Sequence, residues 1–176
     1  RINGFLYIFI LFGMMVPIRL GILNLSEILN FLNLSDNLFG LILIYTAMTI
    51  PFSVFIITGF IKLIPIQLEE AAYIDGCTSA SILMRIIVPM LKPAAVTAAV
   101  YNFIQIWNDV YFPLILIRSE HKKTLSLGIT MFFGQFSTDW NLAFSALTVS
   151  AVPTLIFYLF VSQYLVKGLM AGAVKG

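Results

Sequence analysis

The chain has 176 residues, of which 60% are hydrophobic and 10% charged, with a formal net charge of +2 and a mean hydropathy of +1.00. A soluble domain carries about 25% charged residues, so this chain could not coat a globular surface, and lipid is the solvent that accepts its outward apolar side chains. The small net charge gives no reason to expect nucleic acid, the single cysteine (Cys77) excludes an internal disulfide, and neither Cys77 nor the equally solitary His121 can build a metal site alone.

The sequence opens on Arg1 rather than Met and is expected to be the later part of a longer protein. Four stretches have the roughly 17–25 mostly apolar residues of a membrane span, or approach that length: Phe5–Ile18, Phe39–Ile61, Ala94–Ile117 and Leu142–Val166. The first is short and is expected to extend back through Arg1. It lacks the basic start and small-residue cleavage site of a secretory signal. The second and fourth contain no charge, and each holds a proline, Pro51 and Pro153. In a bundle, neighbouring groups re-satisfy the carbonyl a proline frees, so kinked helices are expected there.

Residues 64–93, between the second and third stretches, are too polar for a span and too patterned for an irregular loop. Pro65 suits the first turn of a helix, where a missing N–H costs nothing, and Glu69 and Glu70 lie where the helix dipole favours negative charge. Gly76 supplies a stop. Thr78 or Ser79 can cap a second helix, running through Met84 and Arg85 until Pro89 breaks it, and Pro93 is placed to open the third span. Two short helices bent at Asp75–Gly76–Cys77 are therefore predicted outside the membrane. Ala71 and Ala72 allow a close surface approach beside carboxylates that suit a basic partner; a solvated linker is the plainer alternative, and Asp75 is expected to stabilise the turn.

Asp109 is the single ionisable residue inside a proposed span. At 1.5 Å per residue it lies about 24 Å up from Pro93, a depth compatible with a solute contact or with an interfacial anchor beside Trp107 and Tyr111. The stretch Ser119–Asn141 mixes polar residues with Phe132, Phe133, Phe136 and Trp140, and can cap the bundle or dock a partner. With both chain ends and residues 65–93 on one side, that side holds Arg1, Lys62, Arg85, Lys92, Lys167 and Lys175, six of the ten basic residues. The excess points to the cytoplasmic face. The spacing of Gly168 and Gly172 matches a small-residue helix contact but falls beyond the fourth span.

Glu70-Ala71-Ala72, three residues, Gly76, nine residues, Ile86, one residue, then Val88-Pro89 resembles the cytoplasmic motif of type I ABC importer permeases, with Val88 in place of the usual leucine. Trp107-Asn108-Asp109, Thr124 through Gly128, and Val166 through Gly176 resemble the carbohydrate-uptake branch, in particular the maltose-type second permease. The resemblance implies an all-α, polytopic transmembrane bundle in one permease domain spanning residues 1–176, the last four of six helices, in a bacterial or archaeal plasma (inner) membrane with its C-terminus cytoplasmic. It implies a coupling helix carrying Glu69, Glu70, Ala71, Ala72, Gly76 and Asp75, with Ile86 and Pro89 completing the motif, docked on one of two ABC ATPase subunits. Further implied partners are a second permease subunit and an extracytoplasmic solute-binding protein, with membrane lipid around the bundle. Trp107, Asn108 and Asp109 are candidates for the solute pathway. No cofactor, metal or catalytic residue is called for; ATP hydrolysis belongs to the separate subunit, and this chain has no phosphate-cradling Gly-x4-Gly-Lys motif. A permease of the same superfamily for a non-sugar solute remains open. An ion-coupled secondary transporter would call for more intramembrane charge, and a membrane enzyme for a nucleophile–base cluster.

Overall fold

The computed structural model describes residues 4–133 and 139–173, those from 163 onward by backbone alone. The described residues form an all-α assembly of ten α-helices and short 3₁₀ and π turns.

The first apolar stretch does not run straight through. Helix α1, Gly4–Phe12, passes through a 3₁₀ turn at Gly13–Met15 and stops before Pro17. Proline pushes its predecessor out of the helical region, and Val16 is extended at φ −77° and ψ 118°. A second 3₁₀ turn at Ile18–Gly21 leads into α2, Ile22–Phe31, and the halves meet at 76°. The expected boundary at Ile18 thus falls past the break, which Pro17 sets. Gly13 packs against α3 where a Cβ would sit 3.0 Å from Pro51 Cγ, so only glycine fits without a shift.

Helix α3, Leu38–Ile61, is capped by the Asn37 side chain, which accepts from Phe39 N at 2.9 Å. It is long and apolar enough to cross a bilayer and continues through the buried Pro51. The hydroxyls of Thr46, Thr49 and Ser53 donate back to the carbonyls of Ile42, Tyr45 and Thr49, so they are satisfied inside an apolar helix. After α4 (Ile66–Ile74), α5 (Ser79–Ile82), a π turn (Leu83–Ile87) and α6 (Val88–Met90) comes α7, Lys92–Trp107, with Pro93 in its first turn.

The third apolar stretch, 94–117, is likewise two pieces. Helix α7 ends at Trp107, residues 108–110 turn, and α8 covers Tyr111–Leu116. Asp109 therefore lies in a helix break, which changes its expected setting. A short helix α9, Leu125–Thr130, is capped by Thr124, whose hydroxyl accepts from Leu127 N. Helix α10, Trp140–Ala173, starts on Asp139, which accepts from Leu142 N at 3.1 Å, and stays helical through Pro153. Its contact with α7 includes the stacked rings of Phe103 and Phe157, 4.1 Å apart. Ala143 is buried near the start of α10, but no residue after it as far as Ser162 is buried by the rest of the chain. Such open apolar surface requires lipid or another subunit. The expectations placed on Phe136 and on Lys175 lie outside the described residues. Those on the Lys167 side chain and the Gly168–Gly172 contact fall where the backbone alone is described.

The main core joins α2, α3 and α8 through Leu29, Leu41, Ile44, Tyr45, Phe112, Leu116 and Ile117, towards the Asn37 end of α3. A second cluster of Ala72, Ile82 and Ile87, with Ile64, Cys77, Ile86 and Leu91 against it, holds residues 64–93 together at the opposite end.

Candidate functional site

Residues 64–93 form a bent pair of helices with their own small core. Pro65 stands at the N-cap of α4 with φ −61° and ψ 131°. At the other end Gly76 takes φ +79°, its N–H donates to Tyr73 O, and Cys77 N–H donates to Ala72 O, both at 3.0 Å. These two bonds make a Schellman ending, which needs a left-handed residue after the cap. Across the bend, Tyr73 Oη and Ser79 Oγ hydrogen-bond at 2.9 Å, and Thr78 Oγ1 accepts from Ser81 N at 3.3 Å. The turn is thus closed on both sides.

This geometry divides the motif residues into two groups. Glu70, Ala71, Asp75 and Gly76 are exposed, and Ile74 beside them is 86% exposed. Glu69 is half-buried in the first turn. Ala72, expected on the approach surface, is instead 6% exposed and packs beneath α4 against the chain's own Ile82 and Ile87. Its small size lets α4 sit close on α5. Ile86 also belongs to this internal packing. Pro89 does not break the second helix, which runs on through a π turn to Met90. Val88 N–H bonds back to Leu83 O in that wider turn. The bend comes two residues later, at Leu91, where the segment meets α7 at 59°.

At the opposite end of the bundle, Trp107, Asn108 and Asp109 occupy three different surroundings. Trp107 stacks on Phe103 and lines a cavity of about 260 Å³ with Tyr45, Ile106 and Ser126; its carbonyl accepts from the Ser126 hydroxyl. Asn108 is exposed, and its amide donates to Ile104 O at 2.8 Å. Asp109 is 7% exposed. Its Oδ2 accepts from Tyr45 Oη at 2.8 Å and from Phe112 N at 3.2 Å, and its Oδ1 lies 3.6 Å from Arg19 Nη2. Arg19 lies over the Tyr111 ring, and Tyr111 Oη donates to Arg19 O. The aspartate joins α3, the start of α8 and the turn before α2.

Asp36, which sequence reasoning missed, forms a second junction at this end. Its carboxylate accepts from Arg118 N at 2.8 Å, from Ser119 N at 3.0 Å, from the Ser119 hydroxyl and from Lys122 Nζ at 3.2 Å. The Ser119 hydroxyl, followed by the Ser119 and Arg118 amides, holds this carboxyl well below the usual range. The partners lie 82 to 86 residues away, so no local pattern could point to them. His121 is exposed on the 3₁₀ turn beside Lys122. Among the described residues there is no group of three or more potential metal ligands.

The family model for binding-protein-dependent transport system inner membrane components matches residues 1–170. The chain belongs to that family. As a member of this inner membrane permease family, it is 40% identical over 175 residues to a protein of Caldicellulosiruptor sp. (strain Rt8B.4) named as an ABC transporter permease, across 99% of this chain and 64% of that protein. It is 33% identical over 174 residues to the diacetylchitobiose uptake system permease protein DasC of Streptomyces coelicolor, across 99% of this chain and 63% of DasC. It is also 33% identical over 172 residues to the multiple sugar-binding transport system permease protein MsmG of Streptococcus mutans, across 97% of this chain and 62% of MsmG. The chain spans less than two thirds of the length of each of these relatives.

Proposed function

We propose that the chain forms part of the membrane pathway of an ATP-driven importer for a sugar or oligosaccharide, with hydrolysis on a separate ATPase pair. A second permease subunit completes the pathway and an extracytoplasmic binding protein delivers the solute. The observation that carries this reading is the edge of α4, where Glu70, Ala71 and Ile74 stand exposed on a helix whose end is closed by hydrogen bonds and a small core. A rigid helix with an exposed carboxylate and an apolar tip suits a cleft in a partner and can transmit movement to α7 through the Leu91 bend. Sugar is favoured over other solutes by the names of the relatives, which include a diacetylchitobiose and a multiple-sugar system.

Residues 64–93 then lie in the cytoplasm, with the C-terminus on the same side, and the Asp36 and Asp109 junctions lie at the outer face. Ion-coupled transport gains no support from Asp109, whose carboxylate is already engaged by Tyr45, Phe112 and Arg19. The test is uptake of labelled diacetylchitobiose and maltotriose by the complete importer in proteoliposomes. Sugar should accumulate only when both ATP and the binding protein are supplied. Accumulation driven by an ion gradient without ATP would overturn the proposal.

A further inference from the structure

Past the Gly76 bend the character of residues 64–93 changes. Glu69, Glu70 and Asp75 all precede the bend, whereas residues 76–93 hold no acid and carry Arg85 and Lys92 as their charges. Both basic residues are exposed, and among the described residues neither forms an ion pair. The pairs present join Arg19 to Asp109, Lys122 to Asp36 and Lys123 to Glu120, at the other end of the bundle. Around Arg85 the open side of the segment is apolar. Ile82 and Ile87 pack inward, while Leu83, Met84 (67% exposed), Val88 and Met90 face outward.

The bend at Leu91 limits how far this arm stands from the bilayer. Met84 is seven residues from Leu91, about 10 Å along the helix at 1.5 Å per residue. The arm Ser79–Met90 lies at 59° to α7. That angle carries Met84 only about 5 Å along the α7 direction, and the rest of the length runs sideways. The polar layer outside the hydrocarbon core is itself about 5–7 Å deep on each side. An arm that leaves Lys92 at the membrane boundary therefore runs through the headgroup layer. Apolar side chains beside exposed basic ones suit that layer, because the carbon sinks towards the acyl chains while the long basic side chains reach the phosphates. An acid-free strip with two cations attracts anionic headgroups over zwitterionic ones.

Resting on the reading that places residues 64–93 in the cytoplasm, we propose that Ser79–Met90 is an interfacial arm on the cytoplasmic leaflet. Leu83, Met84, Val88 and Met90 enter the lipid, and Arg85 and Lys92 bind the phosphates of anionic phospholipid. The Gly76 bend then separates a lipid-facing limb from the α4 limb that is left for the ATPase, and anionic lipid steadies α4 through the small core the two limbs share.

The test uses the complete importer in proteoliposomes, with Cys77→Ala and a nitroxide attached through Met84→Cys, and partner subunits free of cysteine. Relaxation of the label by oxygen, which partitions into lipid, is compared with relaxation by a water-soluble nickel complex supplied on both sides. Vesicles contain phosphatidylcholine with rising fractions of phosphatidylglycerol. Oxygen should dominate, and its lead should grow with phosphatidylglycerol. Arg85→Gln should raise the fraction needed for half the effect about five-fold, the factor equivalent to about 1 kcal/mol per basic residue at an anionic surface. Arg85→Lys should restore the parent response. If Arg85→Gln fails to assemble, the parent's own response to phosphatidylglycerol decides the matter. A label reached chiefly by the nickel complex, or shielded from both reagents by another subunit, overturns the proposal. A label in lipid that is indifferent to phosphatidylglycerol also overturns it, by removing the headgroup contact. Uptake of labelled maltotriose driven by ATP and the binding protein is measured on the same vesicles. Its absence counts against the proposed function whatever the label reports.

Discussion

The hydroxyl of Tyr45, in the first half of α3, donates to the buried carboxylate of Asp109 at 2.8 Å, across 64 residues of sequence. The same carboxylate oxygen accepts from Phe112 N and so caps α8. One acid therefore fixes where α8 begins and how it lies on α3. Asp109→Leu leaves both donors without an acceptor, at about 1–3 kcal/mol apiece. The expected result is a clear drop in melting temperature of the purified complex. Tyr45→Phe combined with Asp109→Leu should recover part of the loss, because one orphaned donor has gone. Strictly additive losses in that double-mutant cycle would show that the pair is not coupled.

Asp36 offers a pH-dependent counterpart at the same end. Its carboxyl is held below its ordinary value by the Ser119 hydroxyl and the amides of Ser119 and Arg118. A carboxyl depressed in the folded state contributes stability that is fully present above its unfolded value, about 3.9, and is lost as pH falls towards the folded value. Asp36→Asn should therefore melt below the parent at pH 7, and the gap should narrow as pH drops below about 4. A gap of constant size across that range would mean that the charge of Asp36 contributes nothing.

These two junctions also mark where sequence reasoning stopped. The all-α membrane fold was legible because composition leaves lipid as the solvent and the apolar runs approach bilayer length. The bend at Gly76 was legible because glycine answers a strictly local need, a positive φ one residue past a helix end. Pro17 carried an equally local signal and was passed over, since hydrophobicity runs on unchanged across Val16–Pro17–Ile18 while the backbone breaks. The burial of Ala72 and the pairing of Asp36 with Ser119 depend on residues brought in by tertiary packing. The pattern of alanines beside Glu70 says that a surface comes close, but not whether it belongs to another protein or to this chain's own Ile82 and Ile87.

Gly76 provides a test of local conformation by itself. A Cβ placed there would meet nothing within 4 Å, so the strain of φ +79° is the whole cost of substitution. Gly76→Ala should destabilise the segment by about 1 kcal/mol. Gly76→Asn should cost less, because asparagine enters the left-handed region more readily. Limited proteolysis within residues 64–93 would read the difference. Equal cleavage of the two variants would indicate that the bend survives without its left-handed residue.

The exposed edge of α4 yields the test closest to function. Glu70 and Ala71 face outward, whereas the adjacent Ala72 packs inward against Ile82 and Ile87. If a partner ATPase presents a basic cleft to this edge, Glu70→Lys turns attraction into repulsion in a partly desolvated contact. Truncating one member of a buried charge pair costs about 2–5 kcal/mol at an interface, which weakens docking about 30-fold or more at roughly 1.4 kcal/mol per decade. Ala71→Trp adds bulk to the outer edge without changing charge and should separate the surfaces. Both variants should insert in the membrane, since neither alters an apolar stretch, and both should keep the local fold of residues 64–93. Ala72→Trp supplies the contrast. It should disrupt the small core beneath α4 and make the segment protease-sensitive in the isolated subunit, where no ATPase is present. The expected pattern is loss of ATPase co-purification and uptake for all three, with protease sensitivity confined to Ala72→Trp. Normal uptake and full co-purification by Glu70→Lys and Ala71→Trp together would leave α4 as a linker and remove the support for coupling through it.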